Sequence, residues 1–239
     1  SAVKKNQIDL LIIDRYKLQK TYVNQLSKVV KTVVISDLKN VNYKSDCVIN
    51  GFVGYDNQVI NNKFDTPCFL GPKFQILNSN FSKNTPKTKP IYLLATFGGY
   101  DEKKIIPLLL NCLSILNIKN KIKIILGPGT SINSIIKNLQ NISGKNIFFV
   151  QKTNNMFDEM KNSKFGLCSG GITSYEFASC HIPFGIISQV PHQLLTASEW
   201  EKKNLAVNLG LMGKQTEKKL LSYLNTILQN NIKIDPNNS

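Results

Sequence analysis

Short apolar runs alternate with stretches of helical periodicity along nearly the whole chain. Asp9-Leu10-Leu11-Ile12-Ile13 predicts a buried strand ending at Asp14-Arg15-Tyr16, and a helix over about 18–29 follows. Residues 32–35, ending at Ser36-Asp37, predict a second strand, and Cys47-Val48-Ile49 a short third one. Residues 51 to about 77 read as irregular, with Pro67, Gly71 and Pro72 as turn signals. The stretch 81–90 is polar, with two prolines and three lysines, and reads as a linker.

A second strand–helix series starts at 91–95 and ends that strand in Thr96-Phe97-Gly98-Gly99-Tyr100-Asp101. A helix to about 116 follows, with Pro107 in its first turn. Residues 123–126 form a strand ending in Gly127-Pro128-Gly129; 131–139 is a helix, 147–150 a strand and 156–162 a short helix. Lys164-Phe165-Gly166-Leu167-Cys168 and 184–187 are further strands, and 192–203 and 217–229 are helices. Alternation of this regularity predicts an α/β fold with parallel sheets and helices on both faces. It divides into a small first domain, 1–80, with about three strands and one clear helix, and a fuller second domain, 81–239. The first reads as the back portion of a doubly wound domain whose opening strand and helix are absent.

Composition changes this picture little. The 239 residues are 42% hydrophobic, and neither a signal-peptide pattern nor an apolar run of membrane-spanning length stands out. The net charge of +15 comes almost wholly from lysine, since Arg15 is the only arginine. The lysines are dispersed without interleaved aromatics, which argues against nucleic-acid binding. A positive field of this kind suits steering of an anionic substrate or a peripheral membrane contact. Cys47, Cys68, Cys112, Cys168 and Cys180 have no zinc or C-x-x-C spacing and read as free thiols of a cytoplasmic protein.

The sequence that carries chemistry is Gly170-Gly171-Ile172-Thr173-Ser174-Tyr175-Glu176, between a predicted strand and a predicted helix. A glycine pair at that junction lets backbone approach a ligand, and the free N–H groups and dipole of the helix start favour a phosphate. Glu176, one turn on, can accept hydrogen bonds from a ribose diol. Thr173-x-x-Glu176 is equally a capping box, and both readings stand at this point. Gly98-Gly99 with Asp101 reads either as a second ligand turn or as a tight turn and a helix cap. Tyr175 and Phe177 read as core.

Taken in order, Ile13-Asp14-x-Tyr16, Ser36-Asp37-Leu38, Cys47-x-Ile49-Asn50, Gly71-x-x-Phe74-x-x-Leu77, Phe97-Gly98-Gly99-x-Asp101, Gly170-Gly171-x-Thr173-Ser174-x-Glu176, Pro183 and His192-Gln193 resemble the nucleotide-sugar hydrolases of pseudaminic acid biosynthesis. They are similar also to the wider glycosyltransferase-B class with a MurG-like C-terminal domain. The resemblance implies two Rossmann-like domains, a UDP-sugar as ligand, release of UDP by attack of water, and no metal or other cofactor. Carried over by position, it puts Gly170, Gly171 and Thr173 at the diphosphate and Glu176 at the ribose, with Ser174 among the substrate-binding residues. The turn containing Gly127 and Gly129, together with Val150, flanks the uracil; Gly98 and Gly99 belong to the same binding edge. His192 and Gln193 match an Asn-Gln pair at the sugar and phosphate, with His192 a candidate catalytic group, and Tyr16 matches a tyrosine of the sugar pocket. The family's catalytic histidine belongs to an opening segment that this sequence does not contain, so a partner or a longer parent chain is implied if hydrolysis is to be complete. Three functions therefore stay open: a UDP-sugar hydrolase of surface-glycan synthesis, a MurG-like UDP-sugar glycosyltransferase, and a non-catalytic nucleotide-sugar binding module.

Overall fold

The computed structural model describes residues 6–15, 17–37, 39–82, 91–130, 133, 135 and 146–228, and the chain divides into two compact units, Ser1–Ile76 and Leu77–Ser239. Most of the expected helix over 131–139 and residues 83–90 of the expected linker lie outside the described residues.

The first unit is a five-stranded sheet in the order β1-β2-β3-β5-β4. Its strands are β1 (Leu10–Asp14), β2 (Lys31–Ile35), β3 (Cys47–Asn50), β4 (Gln58–Asn61) and β5 (Pro67–Leu70). Helix α1 (Lys20–Leu26) joins β1 to β2 and buries Val23 against Ile13, Val34, Tyr43, Val48, Cys68 and Leu70. Alternate residues of β2, β3 and β5 are sealed on this face and half-exposed on the other, as a pleat with period two requires.

Three expectations change here. Residues 51–77 are not irregular: β4 and β5 form an antiparallel hairpin, followed by a 3-10 turn at Pro72–Phe74. The hairpin was hidden because Asn, Asp and Pro dominate its flanks. Those residues build the connection, with Asn62 Oδ1 accepting from Phe64 N–H (2.8 Å) and Thr66 N–H (3.3 Å). Pro67 sits at the first position of its strand, where proline is tolerated. So the unit has five strands rather than three, and one of them is not parallel. Helices do not cover both faces either: among the described residues this sheet carries a helix on one face only. Finally, β1 is an edge strand, not a buried one, with Leu10 51% and Ile12 60% exposed.

The second unit is a six-stranded sheet of order β11-β10-β9-β6-β7-β8, parallel throughout. Its elements are β6 (Ile91–Thr96), α2 (Ile105–Ile115), β7 (Ile122–Ile125), β8 (Ile147–Val150), α3 (Met156–Lys161), β9 (Ser163–Cys168), α4 (Ile172–Ser179), β10 (Phe184–Ser188), α5 (Pro191–Lys202), β11 (Ala206–Leu211) and α6 (Thr216–Leu228). Strand β11 escapes the apolar-run reading because Asn208 and Gly210 interrupt it; Gly210 has φ +88°. Central strands such as Ile-Tyr-Leu-Leu-Ala-Thr of β6 are continuous apolar runs because both faces are covered. Leu93, Ala95 and Phe97 join α2 and α6 in one core, with Ile105, Leu109, Leu220 and Tyr223 fully or nearly buried. On the opposite face Phe177 of α4 stacks on Phe184 at 5.8 Å, and Trp200 of α5 meets Phe184 edge-on at 6.1 Å. The 3-10 turn Ser79–Ser82, at the start of the expected linker, packs Phe81 against Phe157 of this unit. Among the described residues no helix is long and apolar enough to cross a membrane.

Phe177 is fully buried, so Phe177→Ala removes a ring that no neighbour can replace. A stability loss of about 3–5 kcal/mol is expected in urea unfolding.

Candidate functional site

Because the six strands are parallel, their carboxyl ends share one edge, and every loop there leads into a helix or a turn. The chain runs β6, β7, β8 in one direction and then returns to place β9 on the other side of β6. Such a reversal leaves a crevice between the loops that leave the two central strands. Those loops are Phe97-Gly98-Gly99-Tyr100 after β6 and Ser169-Gly170-Gly171 after β9.

Gly171 is the N-cap of α4, in extended backbone and with no side-chain cap hydrogen bond. A Cβ built on it meets nothing within 4 Å, so the helix start is open. Ser174 N–H is satisfied by Gly171 O (3.1 Å), which leaves the amides of Ile172 and Thr173 as the unclaimed donors of the first turn. Gly170 is buried against α5: a Cβ there would lie 2.8 Å from Gln193 O. The starts of α4 and α5 therefore meet at this glycine. The capping box is not formed, since Thr173 and Glu176 are the second and fifth helical residues rather than the cap and its third follower. Glu176 is half-buried, and among the described residues its carboxylate makes neither a hydrogen bond nor an ion pair. Burial raises its pKa above the usual carboxylate value. Burial, and secondarily the charge of Glu176, pushes the Cys168 thiol well up.

Ser174 is a correction. Its hydroxyl donates to Gly171 O (2.7 Å) and accepts from Trp200 Nε1 (3.1 Å), and the residue has no exposed surface. It fastens α4 to α5 and is out of reach of a ligand. Gln193 is half committed: its Oε1 accepts from Gln189 N–H (2.8 Å), reaching back past the start of α5 much as a capping box does, and its amide nitrogen remains to donate. His192 is exposed at the second position of α5. Tyr16 lies outside the described residues.

Across β6 the glycine turns interlock. Gly98 has φ +83°, a conformation costly for any side chain, and Gly99 O accepts from Gly129 N–H at 2.9 Å. Gly127 packs on the Gly98 and Gly99 carbonyls, and Gly129 on the Tyr100 ring. Gln151, just past the half-buried Val150, donates to Thr130 O (2.7 Å) and ties the end of β8 to the same turn. A cavity of about 500 Å³ opens here, lined by Tyr100, Asp101, Glu102, Lys104, Gly129 and Thr130. Asp101 is a cap: its two carboxylate oxygens accept from Ile105 N–H and Ile106 N–H, both at 2.8 Å. So Gly98, Gly99, Gly127, Gly129, Val150, Gly170, Gly171, Glu176, His192 and Gln193 all lie along one sheet edge. Gln189, Ser169 and Gln151 are the participants that the sequence reading missed. The only trace of the first was its i,i+4 spacing from Gln193.

No protein-family description matches this sequence. The chain is 27% identical over 241 residues to the spore coat polysaccharide biosynthesis protein SpsG of Bacillus subtilis (strain 168), covering 95% of this chain and 69% of that one. MurG of Acinetobacter baumannii superposes with a TM-score of 0.64 at 11% identity, over 98% of this chain and 69% of MurG. The spinosyn rhamnosyltransferase SpnG complexed with thymidine diphosphate gives 0.58 at 10% identity, over 95% and 67%. The fold is of the glycosyltransferase-B type. At these identities the solved structures speak for architecture alone, and the glycosyltransferase-B fold is what they share with this chain.

Two outcomes follow from the site. Removing the raised, unpartnered carboxylate by Glu176→Gln stabilises the protein at neutral pH. An acid whose folded pKa is raised contributes its full stability only below the ordinary Glu value and loses it as pH rises through the raised one. The melting-temperature gain of the variant therefore shrinks as pH falls through the carboxylate range. Asp101→Ala uncaps α2 and costs about 1–2 kcal/mol in urea unfolding.

Proposed function

We propose that this chain is the nucleotide-sugar-binding portion of a glycosyltransferase-B-type protein that transfers a sugar from a UDP-linked donor in surface polysaccharide biosynthesis. The observation that carries this reading is the open, uncapped start of α4 at the strand-order reversal, with a half-buried carboxylate one turn away that has no partner among the described residues. Unclaimed amides and the positive end of a helix favour a diphosphate. A desolvated acceptor set beside them suits a ribose diol, which supplies the hydrogen bonds the carboxylate lacks.

On this reading the amides after Gly170 and Gly171, with Thr173, meet the diphosphate and Glu176 meets the ribose. The Gly127–Thr130 turn and Val150 border the base. His192 and the free amide of Gln193, at the adjoining start of α5, face the distal phosphate and the sugar. Tyr16 remains assigned to the sugar pocket by resemblance alone. In the reaction a hydroxyl of the acceptor forms a bond to the anomeric carbon as the bond from that carbon to the β-phosphate oxygen breaks. The electron pair leaves with UDP, and the attacking hydroxyl passes its proton to a general base, the role assigned to the exposed imidazole of His192. Charge grows on the diphosphate in the transition state, and on this reading the unclaimed amides at the start of α4 meet it there.

Transfer is favoured over the hydrolysis suggested by the Asp14-x-Tyr16 series on the strength of the relatives. SpsG is named for polysaccharide biosynthesis, and a rhamnosyltransferase complexed with thymidine diphosphate is among the proteins that share this fold. Calorimetry with UDP tests the binding claim, and no heat at millimolar UDP rejects it. Glu176→Ala is expected to weaken UDP by about 1–3 kcal/mol, the cost of hydrogen bonds to a charged group. Unchanged affinity removes Glu176 from the site. Incubation with UDP-sugars then separates the chemistries: UDP released only with an acceptor present means transfer, and equal release without one means hydrolysis.

A further inference from the structure

Between the two glycine turns of the crevice lies a side chain that touches the residue before each of them. We propose that Gln189 is a positioning residue that holds the Gly98-Gly99 and Gly170-Gly171 turns at the separation at which one diphosphate meets both, an inference that rests on the nucleotide-sugar reading above. Gln189 follows β10, two strands away from β6. Its Nε2 nevertheless spans β9 to donate to Phe97 O at 2.9 Å and to Ser169 Oγ at 3.3 Å. Phe97 immediately precedes the first glycine pair and Ser169 the second. The backbone N–H of Gln189 donates to Gln193 Oε1, and the Gln193 backbone abuts Gly170. One half-buried amide thus joins the carboxyl ends of β6, β9 and β10.

Packing holds these turns on one side only, through Gly127 against the Gly98 and Gly99 carbonyls and Gln193 against Gly170. Around Gly98, Gly99 and Gly171 a Cβ meets nothing within 4 Å. On that open side no side chain supports them, and the bonds that fix their spacing are Gly129 N–H to Gly99 O and those of the Gln189 amide. Without the glutamine amide, a ligand has to order the turns as it binds, and that cost falls on the phosphate contacts. The base is bordered by the Gly127–Thr130 turn, which Gln151 also ties to the end of β8.

The experiment compares UDP with uridine, by calorimetry and ligand-observed NMR, on the wild-type chain, Gln189→Met and Ser169→Ala. Methionine keeps the length and volume of glutamine but donates nothing. Gln189→Met is expected to bind UDP about tenfold more weakly, as loss of two modest hydrogen bonds predicts, with uridine affinity unchanged. Ser169→Ala gives a smaller loss of the same selective kind, and it carries the test if the methionine variant fails to fold. The double variant is no weaker than Gln189→Met alone, because both changes act on one network. Undiminished UDP binding by the folded variants overturns the assignment, as does an equal loss for UDP and uridine, which marks a merely structural role. A wild-type chain that binds no UDP overturns the underlying nucleotide reading as well, and is recognisable because it precedes any effect of substitution.

Discussion

Parallel pairing is the constraint from which the rest of the second unit follows. Antiparallel strands can be joined by a tight hairpin, but each parallel pair needs a crossover, and the crossovers cover both faces with helices. All six carboxyl ends are thereby delivered to one edge. The reversal of order between β6 and β9 opens a crevice there without any residue being selected for the purpose. What selection adds is the chemistry of the loops: glycines where backbone must come close, and a helix start left uncapped.

Accounting for polar groups along that edge separates scaffold from site. Asp101 is consumed in capping α2, Ser174 in joining α4 to α5, and one end of Gln193 in bracing Gln189. Glu176 stands apart because nothing among the described residues claims it, although burial makes its charge costly. A fold tuned only for stability would pair or discard such a carboxylate. Its place beside the unclaimed amides of α4 is the feature on which the proposed diphosphate and ribose site rests.

How much of this was legible in the sequence depended on whether the signal was local. The strands of the second unit announced themselves as apolar runs because burial on both faces leaves no polar alternation to confuse them. β5 and β11 did not, since Pro67, Asn208 and Gly210 are turn-like residues used inside or at the start of strands. The glycine pairs at 98–99 and 170–171 were visible because backbone exposure at a strand–helix junction needs that residue type. The misreading of Ser174 has a different origin: a serine in a first helical turn looks like a ligand group until the indole of Trp200, 26 positions away, is found on its hydroxyl. Gln189 was invisible for the same reason, because its partners Phe97 and Ser169 are distant in the chain.

The edge strand β1 carries a further consequence. Its outward side chains Leu10 and Ile12 are bare, and an apolar edge of this kind templates the addition of a foreign strand. Exposed Asp9 and Asp14 flank the run at its two ends. Charged residues at both ends of an apolar edge run keep it hydrated where it meets solvent. The same run of side chains that closes the core through Ile13 thus leaves every second residue of the strand to the solvent.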